Sequence, residues 1–229
     1  GDWFLVSRHP KNFYCSYFPY SVISNGVLEE KGYGNTLFRA ARLGIVMLML
    51  FETFGEESYL EYAQHLANVL VRIQRDDGGW PFRVNPKDGS IVQEYTSNVA
   101  TQARFLGMLE AIDPKVDYKQ ARCKAAQWIM NNPVKTSRWE GMFEDMPEVA
   151  PYENLENWAV NETVNYLVHF REEDSRFLAT AEELNRWIED QFVIWQEGDT
   201  HAMGVGYIGN TTLDSNLTTP TPMVLEQYV

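Results

Sequence analysis

Apolar residues recur at helical spacing in six stretches of this chain, and the stretches come in pairs. The spacing predicts helices over about 35–54 and 57–74, about 95–112 and 117–131, and about 155–171 and 174–195. In each pair the first helix is the more apolar, with Leu43, Val46, Met47 and Leu50 in one and Ala103, Leu106 and Leu109 in the next. A short polar turn follows: Gly55-Glu56-Glu57, Asp113-Pro114-Lys115, then Glu172-Glu173-Asp174. The second helices share an apolar stripe, in which Leu60, Ala63 and Ala67 correspond to Tyr118, Ala121 and Ala125, and more loosely to Leu178, Ala181 and Asn185. The internal period is roughly 58–60 residues, longer than most helical solenoid repeats. Cys123 falls inside a second helix and is expected in the core.

The extra length lies between pairs. Residues 80–84 and 90–95 read as two strands around the turn Asn85-Pro86-Lys87-Asp88-Gly89. The connection 133–154 is rich in Trp, Phe, Glu and Asp, and 197–222 in Gly, Thr and Asn. If pairs pack side by side, the long connections all lie on one face, where function usually sits. The expected fold class is all-α: a single domain, 1–229, forming an α/α toroid of helical hairpins with long loops and a small β-hairpin on one face. An α-solenoid is the alternative, with shorter connections. A six-hairpin ring needs roughly twice this helix content, and 223–229 reads as the start of a fourth pair, so the ring is expected to be incomplete.

The first connection opens with Gln74-Arg75-Asp76-Asp77-Gly78-Gly79-Trp80-Pro81-Phe82-Arg83. Gly78 and Gly79 can take positive φ without a Cβ penalty, letting the chain reverse, and Pro81 cannot continue a helix. Leu70-x-x-x-Gln74-x-x-x-Gly78-x-Trp80 resembles the Gln/Trp repeat of squalene and terpene cyclases at the level of turn chemistry. Gly78-Gly79-Trp80-Pro81, a hairpin, then Tyr95-Thr96-Ser97-Asn98 opening the next helix resembles the toroidal pectate lyases and related six-hairpin carbohydrate enzymes. Arg138-Trp139-Glu140-Gly141-Met142-Phe143-Glu144-Asp145 and Pro151-Tyr152-Glu153-Asn154-Leu155 are similar to segments of bacterial polysaccharide-degrading proteins of that shape. The resemblance implies a carbohydrate substrate and a secreted protein, extracellular or periplasmic. Gly1-Asp2-Trp3 reads as a start inside a mature protein, so no signal peptide is expected in this stretch.

Composition narrows the partners. The net charge is −13, which argues against nucleic acid, whose phosphates are bound by Lys and Arg. The apolar run 43–51 is too short to span a bilayer, so no membrane partner is expected. Aromatic residues make up 14%, enough for a large core and for rings that stack on sugars. Cys15 and Cys123 give neither a disulfide framework nor a metal cluster.

Glycoside hydrolysis calls for two carboxyl groups flanking the scissile bond. The loop face offers Asp76, Asp77, Glu94, Glu140, Glu144 and Asp145. Asp76 and Asp77 are adjacent and make a poor working pair. Glu94, just before a predicted helix, suits a base, ligand or cap. Glu144 and Asp145 follow Trp139 and Phe143, and burial against aromatic surface would suit one of them to general acid work. Uronate β-elimination would need a cation: Arg83 first, Arg138 next, as carboxylate clamps, with an ion pair from Arg83 to Asp77 or Glu144 as the competing structural role. Trp80, Trp139, Trp158 and Tyr95 are candidate sugar platforms, Asn98 a candidate polar contact, and Trp128 and Trp187 core. No cofactor is expected; calcium is conceivable at Asp76, Asp77 and Glu94, without EF-hand spacing. Asn161-Glu162-Thr163 fits a glycosylation sequon inside a predicted helix and is discounted. The leading expectation is a glycoside hydrolase-like enzyme. A uronate lyase, a non-catalytic glycan binder or scaffold and, more weakly, an isoprenoid-handling toroid are the alternatives.

Overall fold

The structure is a computed structural model that describes residues 2–19, 22–24, 27–29, 34–94, 97–139 and 157–192. It is mostly helical. A short α1 (Asp2–Val6) precedes an antiparallel pair, β1 (Val22–Ser24) and β2 (Val27–Glu29). Then follow β3 (Asn35–Thr36), α2 (Leu37–Phe54), α3 (Glu57–Ile73), β4 (Arg83–Val84), β5 (Ile91–Gln93), α4 (Ala100–Ile112), α5 (Lys119–Ile129), α6 (Asn157–His169) and α7 (Phe177–Phe192). The three helical pairs are therefore present as α2/α3, α4/α5 and α6/α7. The sequence connection 197–222 and the terminal stretch 223–229 lie outside the described residues.

Two boundaries differ from expectation. Helix α4 starts at Ala100, well after residue 95, because Ser97 and Asn98 sit in a buried, non-helical entry. Helix α5 runs on into a π-helical turn, Met130–Val134, that carries Pro133 inside it. A wider turn absorbs the missing proline N–H, which would break an ordinary helix. The Asn132 side chain donates to the Trp128 carbonyl at 2.8 Å, answering one carbonyl of that stretch.

The first helices form a row: α2 packs on α4, and α4 on α6. Each second helix packs on its own first helix. Two glycines allow the row to be close. A Cβ on Gly44 would overlap the Phe105 ring, and one on Gly107 would overlap the Phe170 ring. A first helix thus offers a bare patch of backbone to a ring from the next hairpin. The second helices bury the stripe read from the sequence, with Ala63, Ala67, Ala121, Ala125 and Ala181 all in the core. Cys123, expected in that core, is instead exposed on α5.

The expected hairpin is present but short, and it gains a third strand, with order β3-β4-β5. Asn35 pairs with Val84 and Thr36 with Arg83, so the sheet is attached to the start of α2. A two-residue strand carries no alternation to detect.

The turn after α3 joins two hairpins. Gly78 has φ +95°, and a Cβ there would fall on the Lys124 carbonyl of α5. The Gln74 side-chain amide donates to Gly78 O and to Ala121 O, both at 2.9 Å. Trp80 is fully buried and donates its indole N–H to Leu70 O at 2.8 Å. Gly79, free to take positive φ, is not among the left-handed residues. It is small because Arg75 and the Trp128 indole crowd its Cβ direction. Deeper between the second and third hairpins, Arg122 bonds Glu110 and Glu173, both at 2.5 Å.

These contacts separate two glycine roles. Gly55, at φ +71°, has nothing within 4 Å of its Cβ direction. Gly55→Ala is expected to cost about 1 kcal/mol, the backbone penalty alone. Gly78→Ala adds a backbone collision and is expected to cost roughly 3 kcal/mol. Denaturant midpoints of the two variants check the difference.

Candidate functional site

Polar residues gather where the row of first helices begins. Asn35, Asn98 and Asn157 are buried, one at the start of each first helix, roughly 60 residues apart. Around them Ser97, Thr101, Gln102, Asn161, Glu162 and Thr163 are buried as well. Apolar residues would pack there at no desolvation cost, whereas buried polar groups require partners.

Glu162 lies at the middle of this set. Its side chain is 5% exposed. One carboxylate oxygen faces Arg42 of α2 at 3.6 Å and the Trp158 indole N–H at 3.4 Å. The other faces Arg104 of α4 at 3.7 Å and the Thr101 hydroxyl at 3.3 Å. Thr101 also lies 2.9 Å from the side-chain oxygen position of Asn98. A hydroxyl has one proton. The Thr101 hydroxyl proton is thus shared between the Asn98 side-chain oxygen and the Glu162 carboxylate.

Beside the carboxylate is a small aromatic group apart from the main core, formed by Phe38, Phe82 and the half-buried Trp158. Phe38 meets Trp158 edge-on, with centroids 5.2 Å apart. The Arg42 guanidinium lies 4.4 Å from the Trp158 ring centre and Arg39 lies 5.5 Å away. Arg42 and Arg104 keep 42% and 28% of their side chains exposed, so charge at the surface is coupled to a carboxylate beneath it. Such a group can accept hydrogen bonds from hydroxyls and exchange a proton with a bound oxygen.

The residues singled out from the sequence are distributed differently. Trp80 and Trp139 are core side chains rather than cleft platforms; Trp139 packs on Trp187 at 6.2 Å. Both belong to the main hydrophobic core, where burying a large ring outweighs presenting it to a ligand. Trp128 is core, as expected. Trp158 is in the polar set, with its ring stacked by arginine. Asn98 is there too, buried and bonded. Arg83 is buried in β4 and donates to Gln93 at 2.8 Å. Glu94 is exposed after β5, six residues before α4 begins and thus away from the helix N-terminus. It pairs with Arg75 at 3.1 Å, and Asp77 faces the same guanidinium at 3.4 Å. Arg75 therefore already supplies positive charge between two of the three acids considered for calcium, and no three metal-ligating groups meet among the described residues. Arg138 is exposed beyond the π-helical turn. Tyr95, Glu140, Glu144 and Asp145 lie outside the described residues.

Asn161 is buried and donates to Asn157 O at 3.1 Å, so the sequon is no acceptor in the folded chain. Cys15 is buried and its thiol is pushed up to about 12 by that burial, which makes it an inert thiol. No helix among the described residues is long and apolar enough to cross a membrane. Neither a protein-family model nor a curated protein sequence matches the chain.

Arg42, Thr101, Arg104 and Glu162 were not singled out by sequence. The available signal was the asparagine recurring with the repeat, followed within two turns by polar residues inside otherwise apolar helices. Because Glu162 is buried and Glu94 is not, their removal should differ. Glu162→Ala is expected to lower stability by about 3 kcal/mol, leaving Thr101 and Trp158 without their acceptor. Glu94→Ala is expected to stay within about 0.5 kcal/mol, as for an exposed pair. Urea unfolding of both variants measures this.

Proposed function

We propose that this chain is part of a carbohydrate-active enzyme whose site lies at the N-terminal ends of the first helices, centred on Glu162. The observation that carries the reading is a buried carboxylate faced by side chains of three successive first helices and flanked by an aromatic group. Glycan sites combine these elements: carboxyl groups for proton transfer, fixed hydrogen-bonding groups for hydroxyls, and rings beside the sugar plane.

The toroid is part of this proposal, and one contact supports it. Packed helices lie about 8–10 Å apart, so the first and third of a flat row are separated by roughly twice that. Phe38 and Arg42 of α2 still reach Trp158 and Glu162 of α6 across the start of α4. A row bent toward that end has the curvature a ring of hairpins needs.

In the reaction, Glu162 contributes one carboxyl group and the connection 133–154 the other, with Glu144 or Asp145 as its candidates. One protonates the departing glycosidic oxygen while the other attacks the anomeric carbon or activates water. Uronate elimination is the second reading. It is favoured by Arg42 and Arg104 beside Glu162, since guanidinium groups can offset a substrate carboxylate.

A panel of glycans, followed for reducing ends and for ultraviolet absorbance, separates the outcomes. Hydrolysis releases reducing ends alone, elimination adds an absorbing product, and a pure binder gives neither. On a confirmed substrate, Glu162→Gln is expected to lower kcat by about 10²–10⁴ while the circular dichroism spectrum stays that of the parent. Unchanged turnover would remove Glu162 from the chemistry. Unchanged turnover in Glu144→Ala and Asp145→Ala would remove the proposed partners.

A further inference from the structure

The N-terminal segment 8–19 is a closed strap. His9 N–H donates to Phe18 O at 2.8 Å and Tyr17 N–H to His9 O at 3.2 Å, and Arg8 bridges to Pro19. The strap is fastened at three places. Tyr14 and Cys15 amides donate to Lys87 O and Pro86 O, at 3.0 and 2.9 Å, in the turn between β4 and β5. The His9 ring donates to Asn35 Oδ1 at 2.8 Å, and the Asn35 amide donates to Pro19 O at 3.0 Å. On α3, Tyr62 donates its hydroxyl to Tyr17 O at 2.6 Å, and Arg72 donates to Tyr14 O.

The third fastening holds an unusual ring stack. Tyr17 sits at φ +69°, a conformation a non-glycine residue adopts only when its surroundings impose it. Its ring lies parallel to His65 of α3, with centroids 4.0 Å apart and planes 6° from parallel. The Arg8 guanidinium lies 4.5 Å from the same tyrosine ring and 5.3 Å from Tyr62. His65 is exposed enough to take up a proton from solvent without unfolding.

We propose that His65 and the strap form a pH-sensitive latch, in which a proton on His65 places a second positive charge beside Arg8 on the Tyr17 stack and loosens residues 8–19 from α3. The charged groups facing His65 are Arg8 and Lys11 of the strap, which oppose its protonation, and Glu61 of its own helix, which favours it. Burial against the strap, and then Arg8, hold the His65 pKa below its ordinary value. The docked strap therefore binds the proton less readily than the undocked one. Docking is complete above about pH 6.5 and weakens as pH falls through the docked-state pKa. Because His9 and Pro19 of the strap hold Asn35, the latch acts on the end of the fold where Glu162 lies, and it stands independently of any reaction there.

Hydrogen exchange of the peptide covering 8–19, corrected for the intrinsic pH dependence, tests this. Protection of the parent chain is expected to fall about threefold or more from pH 7.5 to pH 5. His65→Phe keeps a ring for Tyr17 without a charge, and its protection is expected to stay level. Protection that does not change with pH, or that changes equally in both proteins, overturns the latch. The His65 ring protons, followed by NMR, provide a second measurement. Arg8→Gln is expected to raise the His65 pKa, and an unaltered titration also overturns the proposal.

Discussion

A carboxylate sealed from water must have its charge answered by the protein, and in this fold the answer comes from helices other than its own. Glu162 belongs to α6, yet its facing cations are on α2 and α4. That requirement ties together the N-terminal ends of three hairpins that also pack on one another lower in the row. It also explains why Asn98, Thr101 and Trp158 are oriented as they are, since each either bonds the carboxylate or bonds a group that does. Close packing lower in the row, through Gly44 against Phe105 and Gly107 against Phe170, brings the helices near enough for those side chains to meet.

The turn at 74–83 and the polar set at Glu162 divide two roles that are easily confused. Both contain a tryptophan, arginines and acids. In the turn, polar groups are used for joining: Gln74 bonds a carbonyl of α5, Trp80 bonds α3, and Arg75 sits between Asp77 and Glu94. At Glu162 the groups meet across several helices, at their N-terminal ends.

The helical pairs were legible because the apolar spacing of three and four extends over many residues, so a few misplaced positions do not hide it. The repeat was legible for the same reason. The site was not, because it depends on contacts between side chains about 60 and 120 residues apart, which no local spacing records. Aromatic surplus near glycine turns suggested platforms at Trp80 and Trp139, but the main core takes up both rings. Glu162 was hidden inside a sequon-like triplet within a helix, although a charged residue among Ala159, Val160 and Leu167 is the kind of local conflict that often marks a site.

A double-mutant cycle between Arg42 and Glu162, using charge-removing substitutions and reading stability by denaturant unfolding, addresses the central claim most directly. The pair belongs to helices separated by a third, so it has no reason to couple unless the row bends and the carboxylate is answered across it. A coupling energy of about 1 kcal/mol, favourable in the parent protein, is the expected result. Strict additivity of the two substitutions would contradict it.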